Sequence, residues 1–477
     1  MSAIYPILSF LPLLLIGFLL TSALWAKEKS IFADLPIKCA LSVGVGFATS
    51  SCLVFLWMMI VGRLTRGVFA CELLLIAGLG LLLQRQRAKM SVEVRQPNSM
   101  ARPSRHGPYV LRSVFGLTSL LAVIRFCSVT LQYPHGQYDA FSIWNVRARF
   151  FFRSAQYWKE FTQVTADSHS DYPLLIPVSI ARSWEFIGGE TQLIPSAIAL
   201  LFTFATVGLV TAAVSRMRGE RQGLLAGLVL LGTPFLILHG SSQYADVPVG
   251  LFFCATAILL LLHEEAISKN NFLILAGMAA ASSAWTKNEG ILFLALLFLL
   301  HPVIAVMVKG KKECFAEFKA LLAGAAPIGA VLLIYKFCLA ARNDLVAGQG
   351  TGLTVHRLLD LSRYHVVSHW FLSRPFSFGR WNSLTAIPIL LIFYFLLLGA
   401  TVRKKEVCAT SIAVSLCIFM SVGYFFVYIL SPMDLAWHLE SSFDRLLLQL
   451  WPLVVFSFFM LVRTPEEALV TEPVAPT

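Results

Sequence analysis

The run Gln192–Ser215, QLIPSAIALLFTFATVGLVTAAVS, contains no Asp, Glu, Lys or Arg and exceeds the ~20 apolar residues that an α-helix needs to cross a hydrocarbon core. In lipid such a run must close its backbone hydrogen bonds internally, which selects a helix. Comparable runs fall on both sides of it, near residues 4–26, 38–61, 67–84, 113–132, 222–239, 247–263, 271–286, 291–308, 320–340, 383–402, 407–430 and 446–462. Together they predict an all-α, polytopic integral membrane bundle of about thirteen transmembrane helices. The runs are continuous rather than alternating, which argues against a β-barrel. The first run, beginning at Ile4, lacks a basic leader and reads as a span rather than a signal peptide. Each half of 271–308 is short for a crossing, so this segment reads as two spans or as a re-entrant hairpin.

Composition agrees. Hydrophobic residues make up 57% of the chain and charged residues 13%, against about 25% charge in a soluble domain. A net charge of +12 would point to nucleic acid in a soluble protein. Here the basic residues sit in short connections and read as topology signals, with a lipid bilayer and no nucleic acid as partner. Seven Lys/Arg lie between Arg85 and Arg112, and further groups are Arg216/Arg218/Arg221, Lys309/Lys311/Lys312 and Arg403/Lys404/Lys405. If spans alternate, all fall on one side, which the positive-inside rule makes cytoplasmic. The expectation is a multi-pass protein of the plasma membrane, the inner membrane in a bacterium, with its N-terminus outside and its C-terminus in the cytoplasm. Nine cysteines are scattered with no Cys-x-x-Cys pair, so neither a disulfide framework nor a cysteine metal site is expected.

Polar residues concentrate in the outer connections Tyr133–Glu190, Ala341–Asn382, His239–Asp246 and Ser431–Arg445. In the first, Phe141, Trp144, Ala148 and Phe151 share a helical face, and both long connections are expected to carry interfacial helices lying on the bilayer. Five motifs mark outer span ends: QYDAFSIWNVRAR (137–149), HSDYPLLIP (169–177), SQYADVP (242–248), TKNEG (286–290) and WHLESSFDR (437–445). Each has an ordinary reading beside a chemical one. Asp139 and Asp246 stand where helix N-caps stand, and Arg445 could snorkel to headgroups. His169 and His438 lack metal-ligand spacing. Trp158, Trp184, Trp370, Trp381 and Trp437 fit an aromatic belt as well as sugar stacking, and the belt is the safer reading. Glu72 and Arg125, inside spans, are expected to face the bundle interior or a wet cavity.

The order and common side of these motifs resemble the GT-C type glycosyltransferases, the group that includes protein O-mannosyltransferases and aminoarabinose transferases. The resemblance covers Leu111–Arg463. It divides the chain into N-terminal spans with a basic loop (1–110), a GT-C-like catalytic module (111–463) and a short cytoplasmic tail (464–477). It implies inverting transfer, at the outer face, from a polyprenyl-phosphate sugar donor to a hydroxyl of a glycan, lipid or protein acceptor. Asp139 would be the base, a role in which a carboxylate supplies about 10²- to 10⁴-fold. The departing phosphate needs cations rather than an acid, and Arg445, Lys287, Arg374 and Arg380 are the outer-face candidates. Substrate contacts would come from Trp144, Arg147, His169, Asp171, Tyr172, Tyr244, Asp246, Lys287, Glu289, His438 and Arg445. Protein O-mannosyltransferases carry an Asp-Glu pair where Asp139 is followed by Ala140, which weakens the case for a protein acceptor. Asp171 could supply the second carboxylate, positioning the acceptor or helping to hold a divalent ion; no other cofactor is implied. The rival reading is a transporter or flippase of a lipid-linked or anionic solute. Against it stand the lack of an internal repeat and the placing of polar residues in outer connections rather than mid-span.

Overall fold

Helices occupy the apolar runs in order in the computed structural model, which describes residues 4–25, 34–90, 108–164, 169–265, 270–342, 350–382 and 386–470. Most of the basic loop, 91–107, and the end of the tail lie outside the described residues. Four long helices open the chain: α1 (Leu11–Leu24), α2 (Leu35–Val61), α3 (Val68–Met90) and α4 (Tyr109–Gln132). Two short helices, α5 (Asn145–Arg153) and α6 (Leu175–Ile187), precede α7 (Leu193–Arg218). A broken segment follows, α8 (Glu220–Leu231) and α9 (Pro234–Ser241), and then α10 (Asp246–Glu265). Next come α11 (Asn271–Thr286), α12 (Asn288–Lys309) and α13 (Lys311–Cys338). The short α14 (Thr351–Leu359) and α15 (Leu361–Ser373) lead to α16 (Ile387–Leu398), α17 (Val407–Leu430) and α18 (Leu435–Leu461).

Among the described residues, 10 helices are long and apolar enough to cross a membrane, and counting the α8–α9 pair, bent by 60°, gives 11. The protein is thus a multi-pass helical membrane protein. The difference from thirteen lies in α11, with 16 residues, and α16, with 12. At 1.5 Å per residue α11 is about 24 Å long, short of a ~30 Å hydrocarbon core. Lys287, in extended backbone, is the only residue between α11 and α12. The two helices fold back so closely that a Cβ on Gly290 would lie 2.0 Å from the Ser283 carbonyl oxygen, so only glycine fits.

The basic connections gather at one end of the bundle. Arg112 bonds Glu220 at 2.6 Å, and Arg216 pairs with Asp34 at 2.6 Å and Glu265 at 3.0 Å. Arg218 meets Glu406, Arg403 meets Glu467, and Lys309 joins Glu264 and Glu317. Lys309 closes α12 at this end, whereas Lys287 begins it at the opposite, polar-motif end. α12 therefore runs from the polar-motif end of the bundle to the basic end. Across residue 110, α2 is packed into the same core: Phe55 contacts the rings of Trp285 and Tyr335, and Trp285 Nε1 donates to Ser51 Oγ at 3.0 Å.

The first long connection packs against the bundle. Ten of the 13 residues of α6 are buried, mostly apolar side chains, and Arg182 goes in with them. Its guanidinium forks onto Glu72 of α3, which also accepts from Ser50 Oγ at 2.6 Å. Glu72 thus faces the interior as expected. Arg125 does not: it is exposed on α4, a peripheral helix with little buried surface. Nor do Trp158 and Trp184 join a belt. Both are buried, and their indole N–H groups donate to the carbonyls of Gly62 and Thr191 at 3.1 and 2.9 Å. Trp437 remains exposed. Replacing Arg182 by Leu should strand the Glu72 carboxylate at a cost of about 3–5 kcal/mol. The unfolding midpoint in detergent should fall accordingly, and Glu72→Met in the same chain should recover most of the loss; an unchanged midpoint in the single variant would count against the clamp.

Candidate functional site

The polar end is built around the turn that leaves α4. Gly136 adopts φ +76, and a Cβ there would sit 2.5 Å from Ala140 Cβ and 2.7 Å from the Ser242 carbonyl oxygen. That close approach needs glycine. The chain then enters a π-helical turn, Ala140–Trp144, a rare geometry that recurs at functional sites. Asp139 precedes this turn without capping it. Instead its Oδ2 accepts from Arg445 Nη2 at 2.6 Å, while its backbone N–H donates to Tyr244 Oη at 3.2 Å. The capping reading of Asp139 is therefore replaced by an ion pair.

Asp246 is fully buried and saturated. Oδ2 accepts from Arg445 Nε at 3.1 Å and His239 Nε2 at 2.9 Å, and Oδ1 from Lys287 Nζ at 2.9 Å and Gln449 Nε2 at 2.6 Å. A carboxylate offers about four lone-pair sites, so none is left for a substrate. Its part is to anchor two cations, not to cap α10. Arg445, held by both acids and stacked 4.8 Å from the Tyr244 ring centroid, does not snorkel to lipid.

Lys287 continues the network. Its Nζ lies 2.7 Å from Glu289 Oε1 and 5.7 Å from the Tyr172 ring. Burial opposes its charge, but Asp246 and Glu289 outweigh burial and hold its pKa above the usual lysine value. Gln449, one turn beyond Arg445 on α18, also donates to Glu289 Oε1 at 3.3 Å and accepts from Tyr424 Oη at 2.8 Å. Glu289 Oε2 is buried and has no hydrogen-bond partner among the described residues.

The HSDY motif folds against this cluster. Tyr172 is stacked between Trp144, at 5.7 Å, and His169, at 4.9 Å. Burial raises its phenol pKa, as it does for Tyr244. Arg147, fully buried, donates to the carbonyls of Tyr172, at 3.2 Å, and His169. Asp171 Oδ2 accepts from Asn288 Nδ2 at 2.6 Å, and Lys336 Nζ donates to the Asp171 carbonyl at 2.6 Å. Trp144, Arg147 and Asp171 thus hold the loop against the α11–α12 hairpin. The carboxylate that shares a cation with Asp139 is Asp246, not Asp171.

Of the sequence candidates, Asp139, Tyr244, Asp246, Lys287, Glu289 and Arg445 converge, with Tyr172 and His169 at their edge. His438 lies beyond His169, near enough to interact with it electrostatically, with its Nδ1 2.7 Å from Ser431 Oγ and its ring against Tyr428. Arg374, 3.9 Å from Asp444, and the exposed Arg380 remain at the rim. Three members escaped the sequence reading: His239, Gln449 and Tyr424. Gln449 carried a usable signal, being an amide within an apolar run and four residues after Arg445. Among the described residues no group of three His, Cys, Asp or Glu side chains is placed to hold a metal ion.

Chemically, three carboxylates face two cations. An incoming anion can gain Arg445 by displacing Asp139, whose carboxylate is then free. A scan against protein-family models finds no match to this chain, and neither curated proteins nor solved structures provide a similar relative.

Proposed function

We propose that this protein is a GT-C type glycosyltransferase of the plasma membrane, moving a sugar from a polyprenyl-phosphate donor to an acceptor hydroxyl at the extracytoplasmic face. The observation that carries the reading is Arg445 bridging Asp139 and Asp246 beside Lys287, at the end opposite the basic connections. By the positive-inside rule the basic end is cytoplasmic, which puts the N-terminus outside and the C-terminus inside. The donor phosphate takes the Arg445 Nη face and releases Asp139. Asp246 keeps its hold on Arg445 Nε and on Lys287, so both cations stay in place for the charge that develops on the leaving phosphate. The acceptor oxygen bonds to the anomeric carbon as the carbon–oxygen bond to phosphate breaks. The electron pair leaves with the phosphate, the acceptor proton passes to Asp139, and attack opposite the leaving group inverts the centre.

One feature favours the transport alternative, a segment broken at Gly232–Thr233 of the kind transporters use. Its break is, however, filled by protein: Trp381 Nε1 donates to the Gly232 carbonyl and Trp451 Nε1 to Thr233 Oγ1, each at 3.0 Å. The test is release or transfer of label from a panel of polyprenyl-phosphate sugars by protein in nanodiscs. Turnover of one donor sustains the proposal. Absence of turnover with every donor, together with transbilayer movement of the same lipids in vesicles, replaces it with transport.

A further inference from the structure

Behind the Asp139 turn lies a cavity of about 640 Å³, bounded by the outer ends of α4 and α7 and by α5. That is within the ~300–1,000 Å³ of small-ligand sites. Its lining is polar, with two arginines sharing one carboxylate. Arg149 and Arg153 both pair with Glu190, at 3.5 Å and through a two-pronged contact, and His135 Nε2 lies 2.9 Å from Gln192 Nε2. Asn145 is almost wholly buried and lines the cavity. Its amide nitrogen donates to Gln243 Oε1 at 3.1 Å and to the His135 carbonyl at 3.4 Å, whereas its Oδ1 has no hydrogen-bond partner among the described residues. A buried carbonyl oxygen left in this way calls for a hydroxyl or amide donor.

We infer that this cavity is a binding site for a neutral saccharide, separate from the charged cluster. Alternating donors and acceptors on planar Asn, Gln, His and Arg–Glu groups suit sugar hydroxyls. Glu190 already engages both arginines, so a phosphate would have to displace it, whereas sugar hydroxyls can bond to the pairs as they stand. Leu131 and Leu193 form the wall at the ends of α4 and α7, so the saccharide can be free or carried on a lipid. The site is also wired to the chemistry: Gln243, which accepts from Asn145, donates to the Pro134 carbonyl and Ser196 Oγ, and Pro134 to Asn145 is the turn that bears Asp139. The assignment does not depend on the transferase reading.

The experiment is saturation-transfer NMR on the full chain in nanodiscs, free of glycoside detergents, with maltose, chitobiose and mannobiose, and with octyl glucoside as the lipid-like probe. Expected is a saturable signal from at least one probe, lost in Gln192→Trp, which fills the cavity from an exposed position, and reduced at least fivefold in Asn145→Ala. The signal should persist in Asp139→Asn. Signal from free disaccharides identifies a glycan ligand; signal from octyl glucoside alone identifies a lipid-linked one. No saturable signal from any probe, a signal indifferent to Gln192→Trp, or displacement by inorganic phosphate overturns the assignment.

Discussion

Replacing Asp139 by Asn should lower sugar transfer about 10²- to 10⁴-fold, the usual contribution of a positioned general base, while leaving the fold intact. The amide keeps the size of the side chain and an oxygen that can still accept from Arg445 Nη2, so the Arg445–Asp246 contact need not move. The unfolding midpoint should therefore stay within a few degrees of wild type, and donor binding should persist, because Arg445 no longer has a competing carboxylate. The loss belongs to the turnover number rather than to donor affinity. Single-turnover kinetics with a labelled donor separate the two: a rate within tenfold of wild type would remove Asp139 from the mechanism.

Asp246→Ala should have the opposite profile, in which stability and activity fall together. Removing this carboxylate leaves Arg445 and Lys287 short of their shared counter-ion and strands the donors of Gln449 and His239. Breaking one buried ion pair typically costs about 3–5 kcal/mol, and here two cations lose the same partner. The expected result is a protein that is recovered poorly in detergent, unfolds at markedly lower temperature and shows no turnover. Glu289→Gln is the control, since it touches the same network but leaves Asp246 in place, and it should fold normally. If Asp246→Ala matched wild type in stability, its four hydrogen bonds would not be holding the cluster together.

Length and polarity along the chain were enough to locate the helices, because a span is decided by a local property: enough consecutive apolar residues to bury a backbone in lipid. Only the hairpin at Lys287 and the short α16 fell short of that measure. The site was legible in its parts and not in its pairings. Asp139 and Arg445 are 306 residues apart, and no periodicity links them. That both charges would be shared through Asp246 depends on how α10 and α18 cross. The motifs also misled where neighbouring residues divide their labour. Trp144 and Arg147 follow Asp139 closely, yet a helical turn directs them into the loop's core. Arg125 and Glu72 look alike in sequence, each a lone charge in an apolar run, and only packing separates the exposed one from the buried one.

The network's assembly from separate segments has a consequence for how the protein is made. Asp139, Asp246 and Lys287 emerge from the ribosome well before α18, and until that last helix is inserted Asp139 and Asp246 lack Arg445. Chains fold from the N-terminus, so every nascent molecule passes through a stage in which these acids lack that partner. Arrival of α18 supplies Arg445 and Gln449 together and closes the cluster in one step. The carboxylates that anchor the finished site therefore stand without their arginine in any chain that stops before α18.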